Sequence, residues 1–298
     1  MRPAERVPPG EAARRVIVHV GAHKTGSTTL QFLLRHATDE LARRSVFHDR
    51  ASYALGGVLR DAAPLPAGEL ARARDELAAR LDACGARTAV LSSESFFGDP
   101  FDGYARGAHV AADLAGLLEG RDVTVVALVR RQDTFLSSIW QQHVKEGGTR
   151  PWDAFRAALP PDVFDWDARL AAFDAAFGRE RVRVLAYETA FDAGERVLGR
   201  VLGPEVDIAV ASVPRRNPSL SAEGLRLLAA ANELLSDAGR GKLRRFLQEE
   251  FARGPDEPDP LLADGVGAAI LAGYRAANER LFASRLRDDA ARAEYIGT

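Results

Sequence analysis

The chain is short of cysteine, of long apolar runs and of net charge, and each shortage excludes something. Cys84 is the only cysteine in 298 residues. No disulfide can form within the chain, and nothing in it calls for an oxidising compartment. No run of about 18 apolar residues occurs, so no membrane-spanning helix is expected. The opening MRPAERVPPGEAARR lacks the apolar centre of a secretory leader. These features together predict a cytoplasmic protein. Forty Lys and Arg stand against 42 Asp and Glu, for a formal net charge of −2. A general nucleic-acid binder is normally basic, so no nucleic-acid partner is expected. His19 and His23 are four apart, but no carboxylate or cysteine completes a ligand set around them, so no metal is expected either. Nothing in the sequence marks an oligomeric state.

What is present is a chain that is 46% hydrophobic and 28% charged, ample for a packed core. Residues 1–14 are polar and carry prolines, which suits a loose tail. Val16–Val20 is a short β-branched run that meets glycine and reads as a buried strand. From Ser27 to His36, Leu30, Leu33 and Leu34 recur at helical spacing. Further apolar runs at Thr88–Ser92, Val123–Val129 and Val182–Tyr187 read as strands covered on both faces. Helical stretches are expected near 69–83, 108–118, 132–146 and 167–177. After 220 the pattern is helical throughout, over 221–235, 240–252 and 264–285, with the loop GPDEPDP before the last. The alternation predicts an α/β fold of three layers, α/β/α, around a central parallel sheet. The expected organisation is one domain over 15–298, with a core at 15–210 and a C-terminal helical cap at 221–298.

Between the first strand and the first helix stands Gly21-Ala-His-Lys-Thr-Gly-Ser-Thr28. Successive backbone N–H groups in such a turn, with the free N–H groups of the helix start, cradle an anion. The helix dipole adds about half a positive charge. Lys24 adds a full one, and the hydroxyls of Thr25, Ser27, Thr28 and Thr29 add donors. A simple helix cap needs neither Gly26 nor a lysine in the turn. A nucleotide triphosphatase loop places its lysine directly after the second glycine. Here Ser27 holds that position and Lys24 precedes Gly26, which counts against ATP or GTP hydrolysis.

His23-Lys24-Thr25-Gly26-Ser27-Thr28 resembles the 5′-phosphosulfate loop of the sulfotransferases that use 3′-phosphoadenosine 5′-phosphosulfate (PAPS), whose usual form is P-K-[TS]-G-[TS]-[TS]. His23 replaces the proline. That family's second motif, R-[N]-P-x-x-x-x-x-S-x-[YW], is similar to Arg130 through Ser138 and Trp140, with Arg131 and Gln132 in place of Asn-Pro. An arginine at a strand's C-terminal end points into the crevice where α/β proteins bind ligands, and its fork suits two phosphate oxygens. The resemblance implies a P-loop NTPase-like fold and a PAPS-dependent sulfotransferase needing no metal. Lys24, Thr25, Gly26, Ser27, Thr28 and Thr29 would hold the 5′ end of the donor, and Arg130 and Ser138 its 3′-phosphate.

Transfer to a hydroxyl or amine needs a base at the acceptor. Glu94, at the C-terminal end of the strand before the Arg130 strand, is the first candidate, by position in the family and not by identity. His23 is the second. Ser92 and Ser93 stand beside Glu94. Gln142 and His143, on the helix of Ser138, are candidates for the acceptor side. His19, inside a strand, reads as core. Arg215 to Ser221 leads into a helix that Ser221 should cap, and the resemblance implies that Arg216 and Asn217 reach the donor's 3′-phosphate or adenine. The acceptor is a small molecule or a glycan, with carbohydrate favoured by the same resemblance. Two other readings stand beside this one: a P-loop kinase or NTPase with an atypical loop, and a non-catalytic nucleotide-binding module.

Overall fold

The computed structural model describes residues 13–210, 219–254 and 257–296. Most of the expected tail, residues 1–12, lies outside them. The strands are β1 (Arg15–Gly21), β2 (Val46–Asp49), β3 (Thr88–Ser92), β4 (Asp122–Val129) and β5 (Val182–Ala186). The α-helices run from α1 (Ser27–His36), α2 (Thr38–Arg43), α3 (Ser52–Ala62), α4 (Ala67–Ala83) and α5 (Gly107–Leu117) to α6 (Gln132–Lys145) and α7 (Trp152–Ala157). They continue as α8 (Trp166–Phe177), α9 (Tyr187–Ala190), α10 (Val197–Leu202), α11 (Ala222–Asn232), α12 (Asp237–Glu250), α13 (Val266–Ser284) and α14 (Asp289–Ile296). The fold is α/β, as expected, and the four expected strands are all present. The fifth, β2, escaped the sequence reading because four residues with a half-buried pattern give no periodicity. α2 and α3 escaped with it.

The chain divides into two compact units. In the described residues the first is made of 13–130, 165–210 and 277–296, and the second of 131–164, 219–254 and 257–276. The division does not follow the expected core and cap, because residues 131–164 group with the later helices and the last helix returns to the first unit.

The first unit holds the sheet, in the order β2-β3-β1-β4-β5 with every pairing parallel. From β1 the chain crosses outward to β2, returns to β3 beside β1, and then passes to β4 on the other side of β1. The carboxyl end of β1 is therefore the place where the strand order reverses, which is where open α/β sheets bind ligands. Ile17, Val90, Val126 and Leu128 form one sheet face, buried under Leu30, Leu33 and Leu34 of α1 and Leu198 and Val201 of α10. Alternation puts Val16, Val18, Leu91 and Val125 on the opposite face, where they are also fully buried. Each such side chain contributes about 1.5–3 kcal/mol.

The end of the chain is tied to this unit by charge. Arg285, after α13, donates to Asp167 Oδ1 at 2.6 Å and to Asp174 Oδ2 at 2.8 Å, both on α8, with only 5% of its side chain exposed. Tyr295 of α14 donates to Glu188 at 2.9 Å. In the second unit, Asn232 closes α11 against Val144 O and Gly148 O at 2.8 and 2.9 Å. Ser221 caps α11 as expected, accepting from Gly224 N at 3.2 Å.

Removing Arg285 strands two carboxylates that share it. Arg285→Met should lower unfolding stability by roughly 3 kcal/mol in urea titration. Adding Asp167→Asn and Asp174→Asn should recover part of that loss, and an unchanged midpoint for Arg285→Met would show that the network does not hold the C-terminal segment.

Candidate functional site

The loop after β1 starts with a bulge. His19 lies opposite Val126 and Gly21 opposite Ala127, so β1 carries one extra residue there. Bulges bend a strand and re-aim the residues beyond them. Gly21 has φ 92°, and a Cβ on it would lie 3.0 Å from the Glu94 Cα. Only glycine lets the end of β1 pass so close to the end of β3. Ala22 N then donates to Leu128 O at 2.6 Å, and Thr25 Oγ1 donates to Ala22 O at 2.5 Å. The second bond folds the turn back on itself. Lys24 takes the left-handed conformation with φ 58°, rare for a residue with a side chain. Gly26 comes next but one, at φ 86°, and serves as the N-cap of α1.

α1 has no side-chain cap, so its first N–H groups are left for the loop's own use. Ser27 is 5% exposed, yet its Oγ has no hydrogen-bond partner among the described residues. A buried hydroxyl left unpaired normally costs about 1–3 kcal/mol, and here it stands where a helix start favours an anion. Thr25 is fully buried, Ser27 nearly so, Thr29 is half-buried and Thr28 is exposed.

Arg130 follows β4 directly. Its Nη1 donates to Lys24 O at 3.0 Å, and its guanidinium lies 4.9 Å from the centre of the Tyr187 ring. Its own carbonyl accepts from Trp166 Nε1 at 2.8 Å. The neighbouring Arg131 takes Asp133, at 2.7 Å. The structure thus brings the loop and Arg130 together. Tyr187 begins α9, and Phe191 ends it with its ring against Gly26, where a Cβ would fall 2.5 Å from the ring.

Glu94 opens a 3-10 turn, Glu94–Phe97, after β3. Its Oε2 accepts from Gln31 Nε2 of α1 at 3.1 Å, and the same amide reaches Ser92 O at 3.3 Å. The carboxylate is therefore held by one helix and set beside Gly21. Ser92 Oγ meets His19 Nδ1 at 2.9 Å, so His19 is the core residue expected of it. Under the turn, Phe97 packs edge-on to Tyr104 at 4.8 Å and stacks on Phe173 at 5.4 Å. The Tyr104 hydroxyl accepts from His23 N at 3.3 Å, and burial pushes its pKa well above 10. Burial first, then the charges of Arg60 and Lys24, push His23 down to about 3. It is a neutral and weakly basic imidazole.

The second unit holds Ser138, Gln142 and His143 on α6. Ser138 is half-buried, while Ser137 beside it is fully buried and bonded to Asp259 at 2.7 Å. Gln142 donates to Glu146 at 2.6 Å, and burial lowers the His143 pKa. Arg216 and Asn217 lie outside the described residues. Among the described residues no group of three or more His, Cys, Asp or Glu is placed to hold a metal ion, and no helix is long and apolar enough to cross a membrane. A cavity of about 420 Å³ opens elsewhere, at the outer edge of β2, lined by Leu41, Phe47, His48, Arg50 and Cys84. Its lining does not include the loop. Sequence reasoning missed Gln31, Tyr104, Tyr187 and Phe191. Gln31, a polar residue inside the apolar face of α1, was the one visible signal.

No family model and no curated protein sequence matches the chain. Among solved structures, it is similar to a sulfotransferase from Alicyclobacillus acidocaldarius, with a TM-score of 0.44 and 17% identity, over 77% of this chain and 95% of that one. The likeness is slight, and function has to be read from the loop and its neighbours.

The buried histidines give the site a pH signature. His19 is lowered to about 4 by burial alone, and His23 to about 3. Between those values and 6.5 the unfolded chain binds protons that the folded one does not, so stability falls as pH drops through that window. Each such histidine contributes a slope of about 1.4 kcal/mol per pH unit. Urea titrations from pH 7 to 5 should show His19→Gln with a slope shallower by about 1 kcal/mol per pH unit, less than the full value because the unfolded histidine is only partly protonated near pH 6.5. Equal slopes would mean that His19 is charged in the folded protein.

Proposed function

We propose that the chain is a sulfotransferase that moves a sulfuryl group from PAPS to a hydroxyl or amine of an acceptor. The observation that carries this reading is the juxtaposition at the carboxyl end of β1. A loop with Lys24 before its second glycine leaves a buried Ser27 hydroxyl without a partner among the described residues, with Arg130 on one side and Glu94 on the other. A triphosphatase needs its lysine after that glycine.

In this reading the loop amides, Lys24 and Ser27 hold the 5′-phosphosulfate. Arg130 exchanges the Lys24 carbonyl for a phosphate oxygen of the donor, which a guanidinium prefers to a neutral acceptor. Charge grows on the oxygen bridging phosphorus and sulfur as that S–O bond breaks, and Lys24 stabilises it. The acceptor oxygen forms the new bond to sulfur, and its proton passes to Glu94, which Gln31 orients. 3′-Phosphoadenosine 5′-phosphate leaves. Glu94 is preferred to His23 as base because burial makes the imidazole a poor proton acceptor. For Arg216, Asn217 and Ser138 at the 3′-phosphate or adenine, and Gln142 and His143 on the acceptor side, the support is the sequence resemblance alone.

Calorimetry with 3′-phosphoadenosine 5′-phosphate tests the donor site. Lys24→Ala and Arg130→Ala should each weaken binding by about 1.5–3 kcal/mol. Absence of binding by the folded wild-type protein, or Mg²⁺-dependent ATP hydrolysis in its place, overturns the reading. Glu94→Gln separates chemistry from binding: it should leave nucleotide affinity intact and lower kcat by about 10²–10⁴-fold. Full turnover in that variant would remove Glu94 from the role of base.

A further inference from the structure

α3 was invisible in the sequence pattern, yet it lies against the turn that carries Glu94. Gly56 is the point of approach: a Cβ there would lie 2.2 Å from Ser93 Oγ and 3.4 Å from Ser95 Cβ. The helix can approach this closely only with a hydrogen at that position. The approach also buries the Ser93 hydroxyl with no partner among the described residues.

Tyr53, Gly57 and Arg60 are spaced i, i+4, i+7 and share one stripe of α3 next to Gly56. Their surroundings differ sharply. Tyr53 is 57% exposed, unusual for a tyrosine next to a packed turn. Nothing lies within 4 Å of a Cβ built on Gly57, so the helix backbone is bare between the ring and the guanidinium. Arg60 is held side-on by Asp61, with Nε to Oδ1 at 2.7 Å and Nη2 to Oδ2 at 2.9 Å. The Arg60 carbonyl accepts from Arg106 at 2.8 Å, which fixes this end of the helix. The Arg60 charge also reaches the phosphate loop: after burial, it is the largest influence lowering the His23 pKa. The stripe therefore runs alongside the residue, Gly56, at which α3 meets the turn that carries Glu94.

We propose that this stripe is the acceptor subsite, and that it takes a neutral pyranose with adjacent free hydroxyls. The proposal rests on the sulfotransferase reading for the chemistry, but its recognition elements stand apart from the donor loop. An exposed aromatic ring offers a flat apolar face, which matches the C–H face of a sugar ring. The bare backbone at Gly57 leaves room for that ring to lie along the helix. The Arg60–Asp61 pair presents donors and acceptors side by side, and two adjacent hydroxyls answer both. A carboxylated or sulfated sugar is disfavoured, because Asp61 already compensates Arg60 and would repel a second anion.

Two measurements separate this proposal from the donor reading. An array of neutral and uronic-acid oligosaccharides is probed with the full chain, without any nucleotide. Binding of neutral members is expected, weakened at least tenfold by Tyr53→Ala and by Gly57→Leu, while calorimetry with 3′-phosphoadenosine 5′-phosphate is unchanged in both variants. That nucleotide control also reports that the variants are folded. In turnover assays the same substitutions should raise the KM for the sugar and leave kcat within about twofold. Binding confined to uronic-acid members, transfer to 4-nitrophenol but to no sugar, or unaltered sugar affinity in both variants overturns the subsite, whatever the nucleotide does. If the sugar binds and the nucleotide does not, the donor reading fails and the subsite stands.

Discussion

The turn from Lys24 to Gly26 is the constraint on which the site depends. Two left-handed or near-left-handed steps, one of them at a residue with a side chain, bend the chain between a buried strand and a helix. The Thr25 hydroxyl on the Ala22 carbonyl and the Arg130 guanidinium on the Lys24 carbonyl hold the bend from inside and outside. The helix start beneath it is left without a side-chain cap, and the Ser27 hydroxyl without a partner among the described residues. Strained backbone and unsatisfied donors cost stability, and they persist only where the surroundings over-determine them. Here the surroundings are a fully buried β1 and the apolar face of α1 packed on the sheet.

The sheet order gives that turn its neighbours. Because β1 is central, its end lies between the ends of β3 and β4, and just past those strands stand Glu94 and Arg130. A carboxylate and a guanidinium are thus delivered to opposite sides of one lysine-bearing loop. Each is held by a residue from a different element: Glu94 by Gln31 of α1, and Arg130 by the Tyr187 ring of α9. The aromatic packing of Phe97, Tyr104, Trp166 and Phe173 lies below and carries the Tyr104 hydroxyl to the His23 amide. The polar site thus stands on an apolar base, which limits how far its parts can move.

Several charged groups that the sequence leaves ambiguous are sorted by their partners. Arg130 and Arg131 are adjacent and chemically alike, and either could answer Asp133. In the structure Arg131 takes the aspartate, and Arg130 stays at the loop. Ser137 and Ser138 divide in the same way, the first buried and bonded to Asp259, the second half-buried. Histidines divide too: His19 is locked on Ser92, and His23 is kept neutral by burial and two nearby cations.

The sequence by itself determined the four longer strands, the helix after the first of them, the glycine-bounded turn between these two, the Ser221 cap and the candidacy of Lys24, Arg130 and Glu94. Those features are local: apolar periodicity, glycine spacing and a lysine in a turn are written in consecutive residues. Only the tertiary structure decided that β1 is central, that β2 extends the sheet, that Gln31, Tyr104, Tyr187 and Phe191 stand at the loop, and that α3 borders it through Gly56. These depend on which strands pair and which side chains meet across long stretches of chain, as Gln31 meets Glu94 at a separation of 63 and Arg130 meets Lys24 at 106. Contacts between distant segments leave no periodic trace in the chain, because each partner alone looks like an ordinary polar or aromatic residue of its own element.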